Sequence, residues 1–183
     1  AGFFYGEKLM PELPEVETTR RGVSPHIQGR TLTAVDVRQP KLRWPIPVDD
    51  VQALVGHTLL DVTRRGKYLV FAFKSGWLLS HLGMSGSLRI IKEDEPPLFH
   101  DHFDLFFGDI ALRYCDPRRF GCLLWMSKDD GDIAEHKLLK DLGPEPLSEM
   151  FTADYLFEKS RKRTQAVKQF LMDSHTVVGV GNI

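Results

Sequence analysis

Residues 67–82 read KYLVFAFKSGWLLSHL, and this stretch indicates the fold of the larger part of the chain. Two runs rich in aromatic and branched apolar residues are separated by KSG, a turn-forming sequence. A connection this short joins antiparallel strands, because parallel strands need a long crossover. The longest apolar run, YLVFAF, is far too short to cross a bilayer. The stretch therefore predicts two neighbouring strands of a water-soluble protein.

The same pattern continues on both sides of this stretch. Further strand-like runs are TLTAVDVRQ (31–39), HTLLDVTRR (57–65), SLRII (87–91), HFDLFF (102–107), IALRYC (110–115) and GCLLWM (121–126). Turn-forming sequences such as GMSG, EDEPP, FGD and DPRR separate them. Eight strands with short connections predict an antiparallel sandwich or barrel and exclude a βαβ arrangement.

Helical patterns flank the strands. Residues 12–23 begin with acids and end with arginines, an order that suits the helix dipole, and Pro14 falls in the first turn. From residue 132 the helical period returns in IAEHKLLKDLG, with Gly143 as its C-cap, and again near TADYLFEKSR. A third helix, TQAVKQFLMD, is expected to bury one apolar face. That face consists of Ala166, Val167, Phe170 and Leu171.

These patterns predict three parts. We expect residues 1–9 to be a leader or tag, residues 10–131 to form the β-rich domain, and residues 132–183 to be part of a helical domain. The chain stops at VVGVGNI, a glycine-rich turn, which suggests that the second domain is truncated.

Composition limits the class of protein. With 42% hydrophobic and 27% charged residues, a soluble globular protein is expected. No export signal is present, so the cytoplasm is the expected location. Cys115 and Cys122 are too few for a disulfide scaffold and their spacing matches no common metal pair, so no metal site is predicted.

The net charge is −1, but the basic residues are clustered, either as solvated surface or as one nucleic-acid-binding face. The clusters are RR at 20–21, RRGK at 64–67, RR at 118–119 and KSRKR at 159–163.

The sequence LMPELPEVETTRRG at residues 9–22 places a methionine directly before a proline. If Met10 were an initiator and were removed, Pro11 would carry a free secondary amine. An α-amino group titrates near pH 8, so part of it is unprotonated at neutral pH and can attack an aldehyde-like carbon. Glu12 and Glu15 are close enough in sequence to transfer protons. The plainer interpretation is a proline that only begins a helix.

Six motifs carry a family resemblance. They are MPELPEVETTRRG (10–22), RRGKYL (64–69), HLGMSG (81–86), DPRRFG (116–121), LGPEPL (142–147) and VGVGNI (178–183). In this order they closely resemble the bacterial formamidopyrimidine-DNA glycosylases, which remove oxidised purines from DNA. The resemblance covers everything after the first nine residues. It implies an α+β fold, with an N-terminal helix packed on an antiparallel eight-stranded β-sandwich, followed by the first helices of a helix–two-turn–helix domain.

The resemblance also implies catalytic roles. Pro11 would be the nucleophile at C1′ of the damaged nucleotide, and its iminium would drive β- and δ-elimination at the abasic site. Glu12 would protonate the sugar ring oxygen, Glu15 would support the N-terminal helix, and Lys67 would bind the phosphate beside the extruded nucleotide. The plain alternative for Lys67 is an exposed lysine in a turn.

Other residues are implied to bind DNA. Extruding a nucleotide costs unstacking energy, which wedge side chains recover. The resemblance assigns this role to Met84, Arg118 and Phe120. Backbone or phosphate contacts are implied for His81, Arg119 and Asn182, and a contact near the lesion or the backbone for Lys168.

The resemblance sets further expectations for partners and activity. The expected partner is double-stranded DNA containing oxidised purines or abasic sites, bound by a monomer in the bacterial cytoplasm or nucleoid. The family's zinc-finger hairpin is missing from this sequence. Because zinc is expected only in that hairpin, no cofactor is expected in this chain. With residues 1–9 attached, Pro11 is an amide without basicity. The truncation of the second domain also removes half of the DNA clamp, so for both reasons the chain as written is expected to be inactive. The alternatives are an endonuclease VIII-like glycosylase for oxidised pyrimidines, a damaged-DNA-binding module without catalysis, and a β-sandwich interaction domain.

Overall fold

A computed structural model describes residues 10–182. The predicted leader, residues 1–9, lies outside the described residues. The order is α1 (Leu13–Ile27), β1 (Ala34–Val37), α2 (Val48–Gln52), β2 (Asp61–Arg65), β3 (Tyr68–Phe73), β4 (Gly76–His81), β5 (Ser87–Lys92), β6 (Asp101–Phe106), β7 (Ile110–Cys115), β8 (Cys122–Ser127), α3 (Ala153–Ser160) and α4 (Val167–Met172). Short 3-10 turns occupy Lys128–Asp130 and Ile133–Glu135.

The eight strands form two antiparallel sheets. One sheet has the order β1-β6-β7-β5 and the other β2-β3-β4-β8. Because the strands divide into two four-stranded sheets, the fold is a sandwich and not a closed barrel. The predicted α+β class, with a helix before an eight-stranded sandwich, is confirmed. The strand boundaries differ from the predicted ones by a few residues.

Strand β3, YLVFAF, is apolar throughout because it is buried on both faces. Leu69, Phe71 and Phe73 of β3 point into the main core between the sheets. Val70, on the opposite face of the strand, packs with Leu79 and Leu139 in a second core cluster. Side chains alternate faces along a strand, so two cores produce a continuous apolar run.

The helix α1 extends one turn beyond the predicted residues 12–23. It continues through Pro25 to Ile27, which is fully buried in the main core. A proline in the last turn removes one backbone hydrogen bond, and the burial of Ile27 offsets this loss. Pro14 lies in the first turn, as predicted. The short helix α2 was not predicted.

The helix predicted in IAEHKLLKDLG is wrong. This segment contains only the 3-10 turn Ile133–Glu135 and further turns, and Leu139 packs on the outer face of β3 and β4. Gly143 ends no helix. A Cβ on Gly143 would lie 2.5 Å from the backbone of Thr176, so close backbone packing requires a glycine there. Tertiary packing has overridden the local helical pattern.

The C-terminal helices are present but bury less than predicted. Of the four residues expected to form the buried face of α4, Phe170 is buried and Leu171 is half-buried. Ala166 is exposed and precedes the helix, and the side chain of Val167 is 72% exposed. Across residues 10–182, no helix is long and apolar enough to span a membrane.

Candidate active site and nucleic-acid interface

The candidate nucleophile lies at the entrance to α1. Pro11 is buried and immediately precedes Glu12, the N-cap residue of the helix. The backbone N–H of Glu12 donates a 3.0 Å hydrogen bond to Glu15 Oε2. This contact satisfies one of the unpaired donors at the helix start and fixes the path of the chain at Pro11. Glu15 is therefore placed to orient the site and is itself exposed.

Lys67 reaches the candidate acid–base residue from a different part of the fold. It lies in the turn between β2 and β3, and its Nζ forms an ion pair with Glu12 Oε2, a buried oxygen atom. The Lys67 side chain is 29% exposed, so a ligand can still approach it. The structure thus brings together all four predicted catalytic positions: Lys67 pairs with the side chain of Glu12, Glu15 bonds to its backbone, and Pro11 directly precedes it.

The β2–β3 turn is held in place by a carboxylate from the second domain. Glu145 accepts hydrogen bonds from Gly66 N at 2.7 Å and from Arg64 Nη1 at 2.8 Å, and it also pairs with Arg65. The cluster RRGK is therefore mostly structural, with Lys67 directed to Glu12.

The basic pair at residues 20–21 shares one carboxylate of the same helix. Arg20 and Arg21 both pair with Glu17 on α1, and Arg64 contacts the same carboxylate. The hydrogen bond from Arg20 is the largest cause that lowers the pKa of Glu17, to about 2. Glu17 thus holds Arg20 and Arg64 in place, whereas the side chain of Arg21 remains 74% exposed.

The glycine-rich segment near the C-terminus closes the site. A Cβ on Gly179 would lie 2.4 Å from Leu13 Cδ1, and one on Gly181 would lie 2.6 Å from Glu12 Oε2. The exposed Asn182 follows directly. The predicted phosphate ligand is thus adjacent in sequence to a glycine that touches the candidate acid–base residue.

His81, at the end of β4, lies beside the same cluster. Its Nδ1 accepts a 2.9 Å hydrogen bond from Gly83 N, and its ring centroid is 4.8 Å from that of Tyr68. Burial is the main cause that lowers the pKa of His81 to about 4, and nearby Lys67 and Arg43 act in the same direction. The ring is therefore neutral at pH 7. With Nδ1 accepting, Nε2 carries the proton and can donate to an anion such as a phosphate oxygen.

The predicted wedge residues meet at one open groove. Met84 and Phe120 are 36% and 46% exposed, and the guanidinium of Arg118 lies 5.3 Å from the centre of the Phe120 ring. The groove has a volume of about 790 Å³. Its lining consists of Met10, Lys41, Leu42, Arg43, His81, Gly83, Met84, Arg118, Arg119 and Phe120. Two exposed apolar tips and an arginine beside Met10 can enter a base stack next to the candidate nucleophile.

Arg119 is exposed and has a left-handed backbone, with φ of 55°. Its N–H donates to Asp116 O at 3.2 Å, within the tight turn of DPRRFG. Arg119 lines the groove together with Arg118 and Phe120, and it also lines a second cavity of about 340 Å³ together with His100.

One wall of the groove was not predicted from the sequence. Lys41, Leu42 and Arg43 belong to the loop before α2, and Arg43 N donates to Gly121 O at 3.1 Å. The Arg43 guanidinium lies 4.7 Å from the centre of the Trp44 ring. The available signal was an arginine–tryptophan pair enclosed by Pro40 and Pro45, which on its own indicates only a loop.

Family models match two segments of this chain. Residues 10–123 match the formamidopyrimidine-DNA glycosylase N-terminal domain, and residues 142–183 match the H2TH domain of the same proteins. The chain belongs to the formamidopyrimidine-DNA glycosylase family. Its second part is therefore an H2TH (helix–two-turn–helix) segment, as predicted.

Individual relatives of this family agree. The chain is 67% identical to the formamidopyrimidine-DNA glycosylase of Cellvibrio japonicus over 174 residues, which are 95% of this chain and 63% of the relative. It is 61% identical to that of Saccharophagus degradans, covering 64% of the relative. The chain thus spans about two thirds of the length of these curated relatives or slightly less.

Solved structures of the family show the same fold. The enzyme of Lactococcus lactis, non-covalently bound to DNA containing an abasic site, matches with a TM-score of 0.86 and 36% identity. The match covers 94% of this chain and 66% of the other. The same enzyme has also been solved with DNA containing N7-benzyl-Fapy-dG, where the TM-score is 0.85.

Lys168 is not brought to this site. It is exposed on α4 and lines neither the groove nor the cavity beside Lys67. Its role in the family resemblance remains a prediction.

Zinc, which the resemblance assigns to another part of the family fold, does not fit the described residues. Within residues 10–182, no three His, Cys, Asp or Glu side chains are grouped so as to hold a metal ion.

Proposed function

We propose that the protein is a bifunctional DNA glycosylase and abasic-site lyase that acts on oxidised purines in double-stranded DNA. The observation that carries this proposal is the convergence of Pro11, Glu12 and Lys67 beside a groove with exposed wedge residues. An enzyme that attacks C1′ must extrude the nucleotide, so the nucleophile and the wedge have to be neighbours.

The proposed first step is displacement of the damaged base. The Pro11 nitrogen forms a bond to C1′, the C1′–base bond breaks, and the base leaves with the bonding electrons and takes up a proton from water. The N–H proton of the Pro11 ammonium passes to the Glu12 carboxylate. Glu12 then donates a proton to the ring oxygen O4′ as the C1′–O4′ bond breaks, which leaves an iminium at C1′. The positive iminium draws electrons, so loss of a C2′ proton and β-elimination of the 3′-phosphate follow, with δ-elimination afterwards.

Lys67 and His81 suit the phosphate next to that nucleotide. Lys67 is a partly exposed cation, and neutral His81 has a donor at Nε2. A bound phosphate would compete with Glu12 for Lys67. We propose that this exchange releases Glu12 for proton transfer once DNA is bound. Arg119, Lys168 and Asn182 would contact other phosphates.

The amine of Pro11 decides activity. In the Met10–Pro11 peptide bond its nitrogen lone pair is delocalised, so it cannot form a Schiff base. We therefore propose that the chain is inactive while residue 10 is attached and that activity requires cleavage after Met10.

The test is borohydride trapping on DNA. The protein in its full natural length is prepared with Pro11 as its first residue, and separately with Met10 retained. Both are incubated with duplexes containing 8-oxoguanine or an abasic site. A covalent complex with the first form alone is expected. The proposal fails if the Pro11-first protein gives none, or if the Met10 form traps equally well.

A second candidate is activity on oxidised pyrimidines. One solved structure of the Lactococcus lactis enzyme, 37% identical to this chain, contains DNA with an oxidised pyrimidine. Cleavage rates on thymine glycol and 8-oxoguanine duplexes separate the two, and a faster thymine glycol reaction would favour the endonuclease VIII-like alternative. Salt-dependent binding by the Pro11-first protein without any cleavage would instead indicate a binding module.

A further inference from the structure

A buried carboxylate lies beneath the groove. Asp116, directly after β7, has no solvent exposure. Its Oδ1 accepts a 2.6 Å hydrogen bond from Ser85 Oγ. Its Oδ2 accepts from Tyr114 OH and from Gly121 N, both at 2.9 Å. The proposed chemistry gives this residue no part.

These bonds connect the two loops that carry the wedge. Ser85 follows Met84 in one loop, and Gly121 follows Phe120 in the other. Ser85 Oγ in turn accepts a 3.1 Å hydrogen bond from Arg118 N. Each wedge residue is thus either a member of the Asp116 network or the covalent neighbour of one.

The backbones of the two loops are also in direct contact. A Cβ on Gly83 would lie 2.5 Å from the carbonyl carbon of Phe120 and from Gly121 N. The loops therefore cannot slide past each other without breaking the bonds to Asp116. The Asp116 carboxylate and the Gly83 contact thus both hold the two loops together.

The hydrogen-bond donors to the Asp116 carboxylate are uncharged groups. Among residues 10–182, Asp116 forms none of the ion pairs with Lys, Arg or His side chains. Burial and the neighbouring Asp116 charge raise the pKa of Tyr114, so its hydroxyl stays protonated as a donor. A buried charge without its hydrogen bonds is strongly disfavoured, so the donors of both loops are kept in place.

We propose that Asp116 is a positioning residue that holds Met84, Arg118 and Phe120 in one preorganised wedge. This inference rests on the proposed function. A wedge that is already ordered avoids the entropy loss of ordering three side chains and two loops on the DNA. Asp116 itself touches no DNA and acts through Ser85 and Gly121.

The experiment measures the opening of the base stack separately from the formation of the Schiff base. The duplex carries 8-oxoguanine with 2-aminopurine next to the base opposite the lesion, because its fluorescence rises when the stack opens. A single-stranded abasic oligonucleotide, which has no partner base to displace, reports Schiff-base formation through borohydride trapping. Both use the Pro11-first protein in its full natural length.

The variants are Ser85→Ala and Asp116→Asn, with Ser127→Ala as the matched control. Ser85→Ala removes the link to Asp116 and to Arg118 N, and leaves the bonds from Tyr114 and Gly121 intact. Ser127 Oγ accepts a 3.2 Å hydrogen bond from Asp129 N, comparable to the one that Ser85 Oγ accepts from Arg118 N, and it lies away from both loops. Thermal unfolding shows which variants fold, and if Asp116→Asn does not, Ser85→Ala carries the test.

We expect Ser85→Ala to slow unstacking about tenfold, the size of effect expected from a lost bond to a charged group. Trapping on the single strand should be unchanged, and Ser127→Ala should match the wild type in both measurements. Unstacking by Ser85→Ala at the wild-type rate would overturn the positioning role and leave the glycosylase proposal standing. If the wild type gives neither unstacking nor trapping, the proposed function fails and this inference falls with it.

Discussion

Gly181 lies directly against the carboxylate of Glu12, so that a Cβ on Gly181 would approach Glu12 Oε2 to 2.6 Å. Two residues at opposite ends of the described chain thus share one site. The H2TH segment therefore helps to shape the proposed catalytic cluster.

This contact predicts that Gly181→Ala displaces Glu12. With the Pro11-first protein, we expect the rate of trapping on abasic duplex to fall about tenfold to a hundredfold, because small misplacements of a reacting group are costly. DNA affinity should change little. Gly22→Ala is the control, since Gly22 has no atom within 4 Å of an added Cβ. Unchanged trapping by Gly181→Ala would show that Glu12 has room to move.

Glu145 is predicted to secure the turn that carries Lys67. Glu145→Ala would leave Arg64, Arg65 and Gly66 N without their shared acceptor. The side chain is 25% exposed, so we expect a loss of about 2 kcal/mol in the free energy of unfolding, less than for a fully buried pair. Urea denaturation measures this value. The exposed Glu149→Ala is the control, and an equal effect of the two substitutions would contradict the role of Glu145.

His81 is predicted to make stability depend on pH. Its pKa is lowered to about 4 in the folded protein, whereas an unfolded histidine titrates near 6.5. Between these values the unfolded state binds more protons, so stability is complete above about pH 6.5 and falls as the pH decreases toward 4. We expect a loss of about 2 kcal/mol over this window, allowing for partial exposure.

The comparison is with His81→Asn, whose side-chain oxygen can still accept from Gly83 N. Subtracting the two pH profiles removes contributions common to both proteins, including that of His136, whose pKa burial also lowers. Glu17 has a pKa of about 2, so its effect on the free energy of unfolding falls at lower pH than that of His81. Parallel profiles for the two proteins would rule out His81 as the source.

Arg43 is predicted to contribute a phosphate or base contact from the unassigned wall of the groove. Arg43→Ala should weaken DNA binding and reduce the slope of log affinity against log salt by about 1, the value for one lost phosphate contact. Arg30→Ala is the control, because Arg30 is paired with Asp109 and does not line the groove. Equal slopes for Arg43→Ala and the wild type would exclude a phosphate contact.

Local patterns predicted most of the fold because its strands are short, strongly apolar and separated by turn residues. They failed in IAEHKLLKDLG, where the burial of Leu139 on the outer face of β3 and β4 outweighs the helical period. They failed again at Val167, which has helical spacing but no covering surface among the described residues. Periodicity reports which side of an element is apolar, and only packing decides whether anything covers it.

The sequence by itself determined the eight strands and the helix after Pro11. It also determined which residues are neighbours along the chain, such as Met84 and Ser85 or Phe120 and Gly121. The tertiary structure alone decided that Lys67 reaches Glu12, that Gly181 closes on the same carboxylate, and that Asp116 joins the two wedge loops. These contacts depend on how the sheets and loops pack, because residues far apart in the chain meet only when burial of the core brings their turns to one edge.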